Sequence, residues 1–221
     1  WRMIEAFLFD LDGVLTDTSE YHYQAWKRLA NEYGIPFSRQ DNEALRGVSR
    51  RESLTRLLAG RPVTETQAEE MMALKNAYYL ELVNQMTPAD LLPGAKEILE
   101  ELQTLGIKKA IVSASKNANL VISRIGIGPL VDCVIDGNAP GRSKPFPDLF
   151  LLGAKALSLE PPSCLVVEDA AAGIEAAHAA GMRALGLGPQ ERVGMAELVL
   201  PSLEGHTARE ILSGLEELQK K

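Results

Sequence analysis

Ile4-Glu5-Ala6-Phe7-Leu8-Phe9-Asp10-Leu11-Asp12-Gly13 sets the reading of the whole chain. Residues 4–9 form a short, nearly continuous apolar run, the pattern of a strand buried on both faces of a parallel sheet. The run ends at Asp10-Leu11-Asp12, and Gly13 permits the sharp turn that must follow. In an open parallel sheet, ligands bind beyond the carboxyl ends of the strands. Residues two apart on an extended chain point the same way, so Asp10 and Asp12 bring two carboxylates to one small volume. Their repulsion is costly unless a cation or a shared proton relieves it.

Downstream of this segment the pattern changes. Leu29, Ala30, Leu45, Leu54, Leu57 and Leu58 recur at helical spacing, and residues 68–83 are rich in helix formers. Turns are expected at Tyr33-Gly34-Ile35-Pro36 and Gly60-Arg61-Pro62. Residues 16–87 therefore read as a helical domain inserted after the first strand. From Leu91 onward strands and helices alternate. Strands are expected over 108–113, 131–136, 164–167 and 183–187, with a short last one over 197–200. Helices are expected over 95–105, 119–125, 148–157, 170–180 and 208–218, the last with Thr207 as N-cap. Such alternation means an α/β fold with a doubly wound parallel sheet, the core domain comprising residues 1–15 and 88–221.

Length and composition agree. The 221 residues suffice for one sizeable core with a smaller attached domain, and 46% apolar with 24% charged residues is ordinary for a soluble globular protein. A net charge of −7 argues against nucleic acid or an anionic membrane as the main partner, while local basic residues can still serve a small anionic substrate. Cys133 and Cys164 both sit in apolar runs and read as reduced core thiols. With no secretory leader pattern and no apolar run of ~18 residues, the expectation is a cytoplasmic protein.

Other strand ends carry related chemistry. Glu168-Asp169 closes a second apolar strand as Asp10 closes the first. Paired acids at two strand ends suit Mg²⁺, which takes oxygen ligands from one or two carboxylates plus substrate phosphate. Ser113-Ala114-Ser115 follows another strand, where a hydroxyl and backbone N–H groups before a helix make an anion site. Lys144, before Pro145 and a helix, can neutralise phosphoryl charge without competing for the metal.

In that order and at those strand ends, Asp10-Leu11-Asp12-Gly13, Ser113, Lys144-Pro145 and Glu168-Asp169 resemble the four motifs of the haloacid dehalogenase superfamily. The resemblance spans essentially the whole chain and implies a Rossmann-like core with a helical cap. A closer likeness is to the β-phosphoglucomutase-like subfamily. It is carried by residues 16–22 (TDTSEYH), 45–50 (LRGVSR), 74–76 (LKN), 113–117 (SASKN) and 168–174 (EDAAAGI). That likeness implies a phosphomutase of the isomerase class, monomeric, interconverting β-glucose 1-phosphate and glucose 6-phosphate through a bisphosphate. It implies that Asp10 is the nucleophile and Asp12 the general acid/base. Mg²⁺ would be held by the Asp10 carboxylate, the Asp12 carbonyl and Asp169, with Glu168 at or near the metal. Ser113, Ala114 and Lys144 would bind the transferring phosphoryl group, and Arg50 the distal phosphate. Ser115, Lys116 and Asn117 would bind on the core side. Gly47 and Val48 would line the sugar site, and His22 and Lys75 would assist from the cap.

Physical chemistry supports this division of labour. A mutase must hold a sugar with two phosphates, so one phosphate needs a cation remote from the nucleophile, and the planar fork of Arg50 binds phosphate bidentately. Without the resemblance, Arg50 reads as a solvated residue in a charged run, Lys75 as a helix-surface lysine and His22 as a packing residue among aromatics. The competing readings are a sugar-phosphate phosphatase of the same superfamily and a catalytically silent binding protein. Retention of Asp10 and Asp12 speaks against the second.

Overall fold

The computed structural model describes residues 3–46 and 48–218, so Gly47 and its expected place at the sugar site lie outside the described residues. Among the described residues six strands form one sheet: β1 (Ala6–Phe9), β2 (Lys108–Val112), β3 (Cys133–Ile135), β4 (Cys164–Glu168), β5 (Arg183–Leu187) and β6 (Leu198–Leu200). All neighbours are parallel and the order is β3-β2-β1-β4-β5-β6. The winding reverses at β1. The chain builds outward through β2 and β3, then returns to the other side of β1 with β4. The carboxyl ends of β1 and β4 therefore flank the crevice where such Rossmann-like sheets bind ligands.

The middle of each central strand is apolar, as expected of strands covered on both faces. Side chains alternate between faces along each strand. Phe7, Phe9, Ile111, Leu165 and Val167 enter one core cluster, and Ala6, Leu8, Ala110, Val112 and Val166 the other. The first face packs under α5 (Ala95–Thr104), α6 (Ala118–Ile125) and α10 (Ala208–Leu218). The second packs under α7 (Asp148–Ala156), α8 (Ala171–Ala179) and the short α9 (Gln190–Val193). Thr207 caps α10 as expected: its hydroxyl accepts the Glu210 N–H at 3.2 Å, and the Glu210 carboxylate accepts the Thr207 N–H at 2.9 Å. Cys164 is buried, whereas Cys133 is only half-buried, because β3 is an outer strand of the sheet.

The inserted helices are α1 (Ser19–Glu32), α2 (Arg39–Glu43), α3 (Arg50–Leu58) and α4 (Glu65–Val83). They enclose their own apolar cluster, built around Trp26, Leu29, Phe37, Leu54, Leu57 and Met71. Short extended contacts bring the two connections to this unit together: Thr16 bridges to both Asp12 and Leu91, and its hydroxyl donates to the Asp90 carbonyl at 2.6 Å. The chain thus leaves and re-enters the core at one point beside the end of β1. No helix among the described residues is long and apolar enough to cross a membrane.

Candidate active site

The β1–β4 crevice gathers three carboxylates. The Asp10 N–H donates to the Val167 carbonyl at 2.9 Å, which locks the residue after β1 against the end of β4. Asp10, Glu168 and Asp169 are all buried, and one carboxylate oxygen from each lies within 4.8 Å of the others. Two glycines permit this convergence. A Cβ on Gly13, whose φ is +83°, would overlap the Asp169 carboxylate, and a Cβ on Gly173 in the first turn of α8 would overlap that of Glu168.

Lys144 lies beneath this cluster with no exposed side chain. Its ammonium donates to Asp10 Oδ1 at 2.7 Å, to the Val112 carbonyl at 3.1 Å and to the Glu168 carboxylate in a shorter contact. Burial disfavours its charge, but Asp10 and Glu168 outweigh burial and raise its pKa. Burial also raises the pKa values of Glu168 and Asp169, and the Asp10 charge adds to both shifts. Lys144 opposes the rise at Glu168, and Arg46 opposes it at Asp169. A cluster of hard oxygen donors with excess negative charge suits a divalent cation of the Mg²⁺ or Ca²⁺ kind.

Asp12 stands apart from that trio. Its carboxylate turns toward the cap, where the Thr18 hydroxyl donates to Oδ1 and His22 Nε2 lies 3.9 Å from Oδ2. Lys75 Nζ is 2.7 Å from His22 Nδ1, and the imidazole stacks on Tyr79 with centroids 4.2 Å apart. Burial, then the Lys75 and Arg50 charges, push the His22 pKa well below its usual value, so the ring is neutral. The other ring nitrogen, Nε2, is the one that faces Asp12. Burial, reinforced by Asp10, raises the Asp12 pKa to about 7. Asp12 can therefore carry a proton at neutral pH, as a general acid must.

A family model of haloacid dehalogenase-like hydrolases matches residues 4–181. The chain belongs to this family. It is 41% identical over 201 residues to a β-phosphoglucomutase of Bacillus subtilis, covering 89% of each chain. It is 33% identical over 207 residues to hexitol phosphatase A of Escherichia coli, covering 90% of this chain and 92% of that one. The crystal structure of a β-phosphoglucomutase from Clostridium difficile superposes with a TM-score of 0.95 at 39% identity, covering 99% of this chain and 100% of that one.

In this member of the haloacid dehalogenase-like family, a cleft open to solvent lies between the inserted helices and the core. Asp10, Asp12, Ser113, Ala114, Ser115, Lys116 and Asp169 line it from the core, and His22, Val48, Arg50 and Lys75 from the cap. Asn117 does not line the cleft. Its amide donates to Asn76 Oδ1 at 2.7 Å, and Arg50 donates to the same oxygen at 2.8 Å, so one amide ties the cap cation to the core loop. In that loop the Ser113 hydroxyl accepts the Ser115 N–H at 3.1 Å and the Ser115 hydroxyl accepts the Asn117 N–H at 3.2 Å.

Four contacts escaped the sequence. Thr18 stands at the N-cap of α1 in the structure, but its hydroxyl makes no cap bond and donates to Asp12 instead. Tyr79 packs under His22. Asn76 bonds both Arg50 and Asn117, a tie that its place in the 74–76 (LKN) stretch does not disclose. Arg46, read only as one of a charged run, reaches Asp169 Oδ2 at 3.0 Å.

Proposed function

We propose that this protein is a β-phosphoglucomutase, interconverting β-D-glucose 1-phosphate and D-glucose 6-phosphate through an aspartyl-phosphate enzyme and β-glucose 1,6-bisphosphate. One observation carries the reading. A single cleft has Asp10, Asp12 and Asp169 on its core side, with Lys144 buried behind Asp10, and a cap-borne arginine, held on Asn76, on its other side. That is the layout for a sugar carrying two phosphates. The resemblance to β-phosphoglucomutases of B. subtilis and C. difficile supports it.

The chemistry follows from the positions. Asp10 attacks the phosphorus of the bisphosphate, the bond to the sugar oxygen breaks, and Asp12 gives that oxygen its proton. Glucose 6-phosphate leaves, Asp12 takes a proton from the C6 hydroxyl of an incoming β-glucose 1-phosphate, and that oxygen attacks the aspartyl phosphate, which re-forms the bisphosphate and frees Asp10. Thr18 and His22 fix the Asp12 carboxylate between these uses. Lys144 holds Asp10 and offsets negative charge at the reacting end. Asp10, Glu168 and Asp169 would hold Mg²⁺, with the Asp12 carbonyl beside them. When bound, the ion supplies charge stabilisation to the transferring phosphoryl oxygens. Ser113, Ala114 and Lys144 serve that phosphoryl group, Arg50 with Ser115 and Lys116 the distal one, and Val48 the sugar, while Asn117 acts only through Asn76, which holds Arg50. Residues 16–87 act as the cap and the remainder as the core. Cap closure excludes water, so the aspartyl phosphate passes to sugar. The reading includes a monomer in the cytoplasm, for which the free thiols of Cys133 and Cys164 speak.

The test is direct. With β-glucose 1-phosphate, Mg²⁺ and a trace of the 1,6-bisphosphate, glucose 6-phosphate should form and couple to a dehydrogenase. Inorganic phosphate as the main product would favour the phosphatase reading, to which the likeness to hexitol phosphatase A points. Asp10→Asn should abolish either activity. Arg50→Ala should lower mutase kcat/KM by about 10²-fold or more, the loss of a bidentate charged contact, and leave hydrolysis of a small phosphate ester nearly unchanged.

A further inference from the structure

Asp169 meets two claims on one carboxylate. It belongs to the buried trio whose oxygens converge within 4.8 Å, and its Oδ2 accepts an N–H from Arg46 at 3.0 Å. Arg46 comes from the cap, in the turn that follows α2. Glu43, the last residue of α2, accepts from the other edge of the same guanidinium at 2.7 and 3.2 Å. The fork thus bridges a cap carboxylate to a core carboxylate. Arg192 approaches from the core side but donates to the Asp169 backbone carbonyl, at 2.7 Å. Lys144 is fixed to Asp10, Glu168 and the Val112 carbonyl.

We propose that Arg46 sets the affinity of the cation site by competing with the divalent ion for the Asp169 carboxylate. The proposal rests on the reading that Asp10, Glu168 and Asp169 hold the ion. A guanidinium within hydrogen-bond distance of a ligand carboxylate cancels part of its charge and repels a dication at the same oxygen. The Arg46 side chain is 23% exposed and that of Asp169 only 6%, so the repulsion acts in a poorly screened site. Arg46 is thus a positioning residue that also connects ion binding to the cap. An ion that takes Asp169 from Arg46 removes a bridge between cap and core, and a cap seated through that bridge weakens the ion's hold.

The experiment titrates Mn²⁺ alone into the full chain and reads the free ion by electron paramagnetic resonance. Arg46→Gln should bind Mn²⁺ at least about tenfold tighter than the parent, since one positive charge within a few ångströms of a dication is unfavourable by that much even with full water screening. Arg46→Lys, which restores the charge, should return the affinity most of the way. Glu43→Gln, which strips the arginine of its compensating charge, should move it the other way. Damage to the fold loosens a metal site, so tightening is a signature that structural loss cannot produce. A Mn²⁺ affinity unchanged or lowered in Arg46→Gln would overturn the competition while leaving the cation site intact. A parent chain that binds no Mn²⁺ would overturn both the cation reading and the competition, and so separates the two failures.

Discussion

Lys144→Met removes the ammonium that the core of the site is built around. The lysine side chain has no exposed surface, and its two carboxylate partners, Asp10 and Glu168, are 7% and 0% exposed. Methionine keeps most of the volume and can still pack against Phe150, whose ring lies 5.0 Å from the ammonium. The loss is therefore electrostatic. Removing one partner of a buried ion pair costs about 3–5 kcal/mol, because the remaining charge stays buried without compensation. For a chain of this length each kcal/mol moves Tm by about 2–4 °C, so the melting point should fall by roughly 6–20 °C. Differential scanning calorimetry at pH 8 without divalent ions measures it.

Two conditions should restore part of that loss. Acid should help, because burial raises the Glu168 and Asp169 pKa values above their unfolded ones. A carboxyl with a raised folded pKa binds its proton more readily when folded, so stability grows as pH falls toward the unfolded value. The variant should gain on its parent between pH 8 and 6. Mg²⁺ should help too, since a dication among three carboxylates does electrostatically what the ammonium did. A variant that melts within about 2 °C of the parent at pH 8 would refute the argument, because it would mean that the buried carboxylates tolerate their charge without Lys144.

Three further outcomes follow from the same geometry. Cleavage that needs Asp12 as an acid should lose activity as pH rises through about 7, since the required proton leaves there, and a pH profile of single-turnover phosphoryl transfer to Asp10 reads it. Gly173→Ala places a methyl group against the Glu168 carboxylate, so it should cost about 1–3 kcal/mol in urea unfolding and weaken divalent-ion binding with it. Lys75→Met should raise stability while lowering kcat. Its ammonium is 2% exposed, with a pKa pushed well down by burial and then by Arg50, and the unfolded chain binds that proton more readily. The parent is therefore penalised most below the unfolded lysine pKa, and the gain, read as Tm, should shrink as pH rises toward it.

Much of the site was legible before any coordinates. Asp10 and Glu168-Asp169 end apolar runs, and an α/β alternation places those ends on one side of a parallel sheet. Lys75 was legible only through the family resemblance. By its own pattern it reads as a helix-surface lysine, yet α1 and α4 pack so that Trp26, Tyr79 and His22 surround the ammonium. Arg50 likewise reads as part of a solvated charged run, and its tie to Asn76 depends on how α3 meets α4. The Thr18 contact was not legible either, because local sequence cannot show that a carboxylate six residues upstream takes its hydroxyl.

The sequence by itself determined the strand order's raw material, the helical insertion and which residue types stand at the strand ends, because these follow from hydrophobic period and turn chemistry along a few neighbouring residues. Tertiary structure alone decided the division of the carboxylates. Asp10 joins Glu168 and Asp169 because the winding reverses between β1 and β4, while Asp12, two residues on, belongs to Thr18 and His22 because the cap connection passes directly over it. The raised pKa of Asp12 and the pairing of Arg46 with Asp169 are likewise products of that meeting of cap and core. Burial and charge proximity are properties of space, and residues 123 positions apart come within hydrogen-bond distance only once the chain has folded.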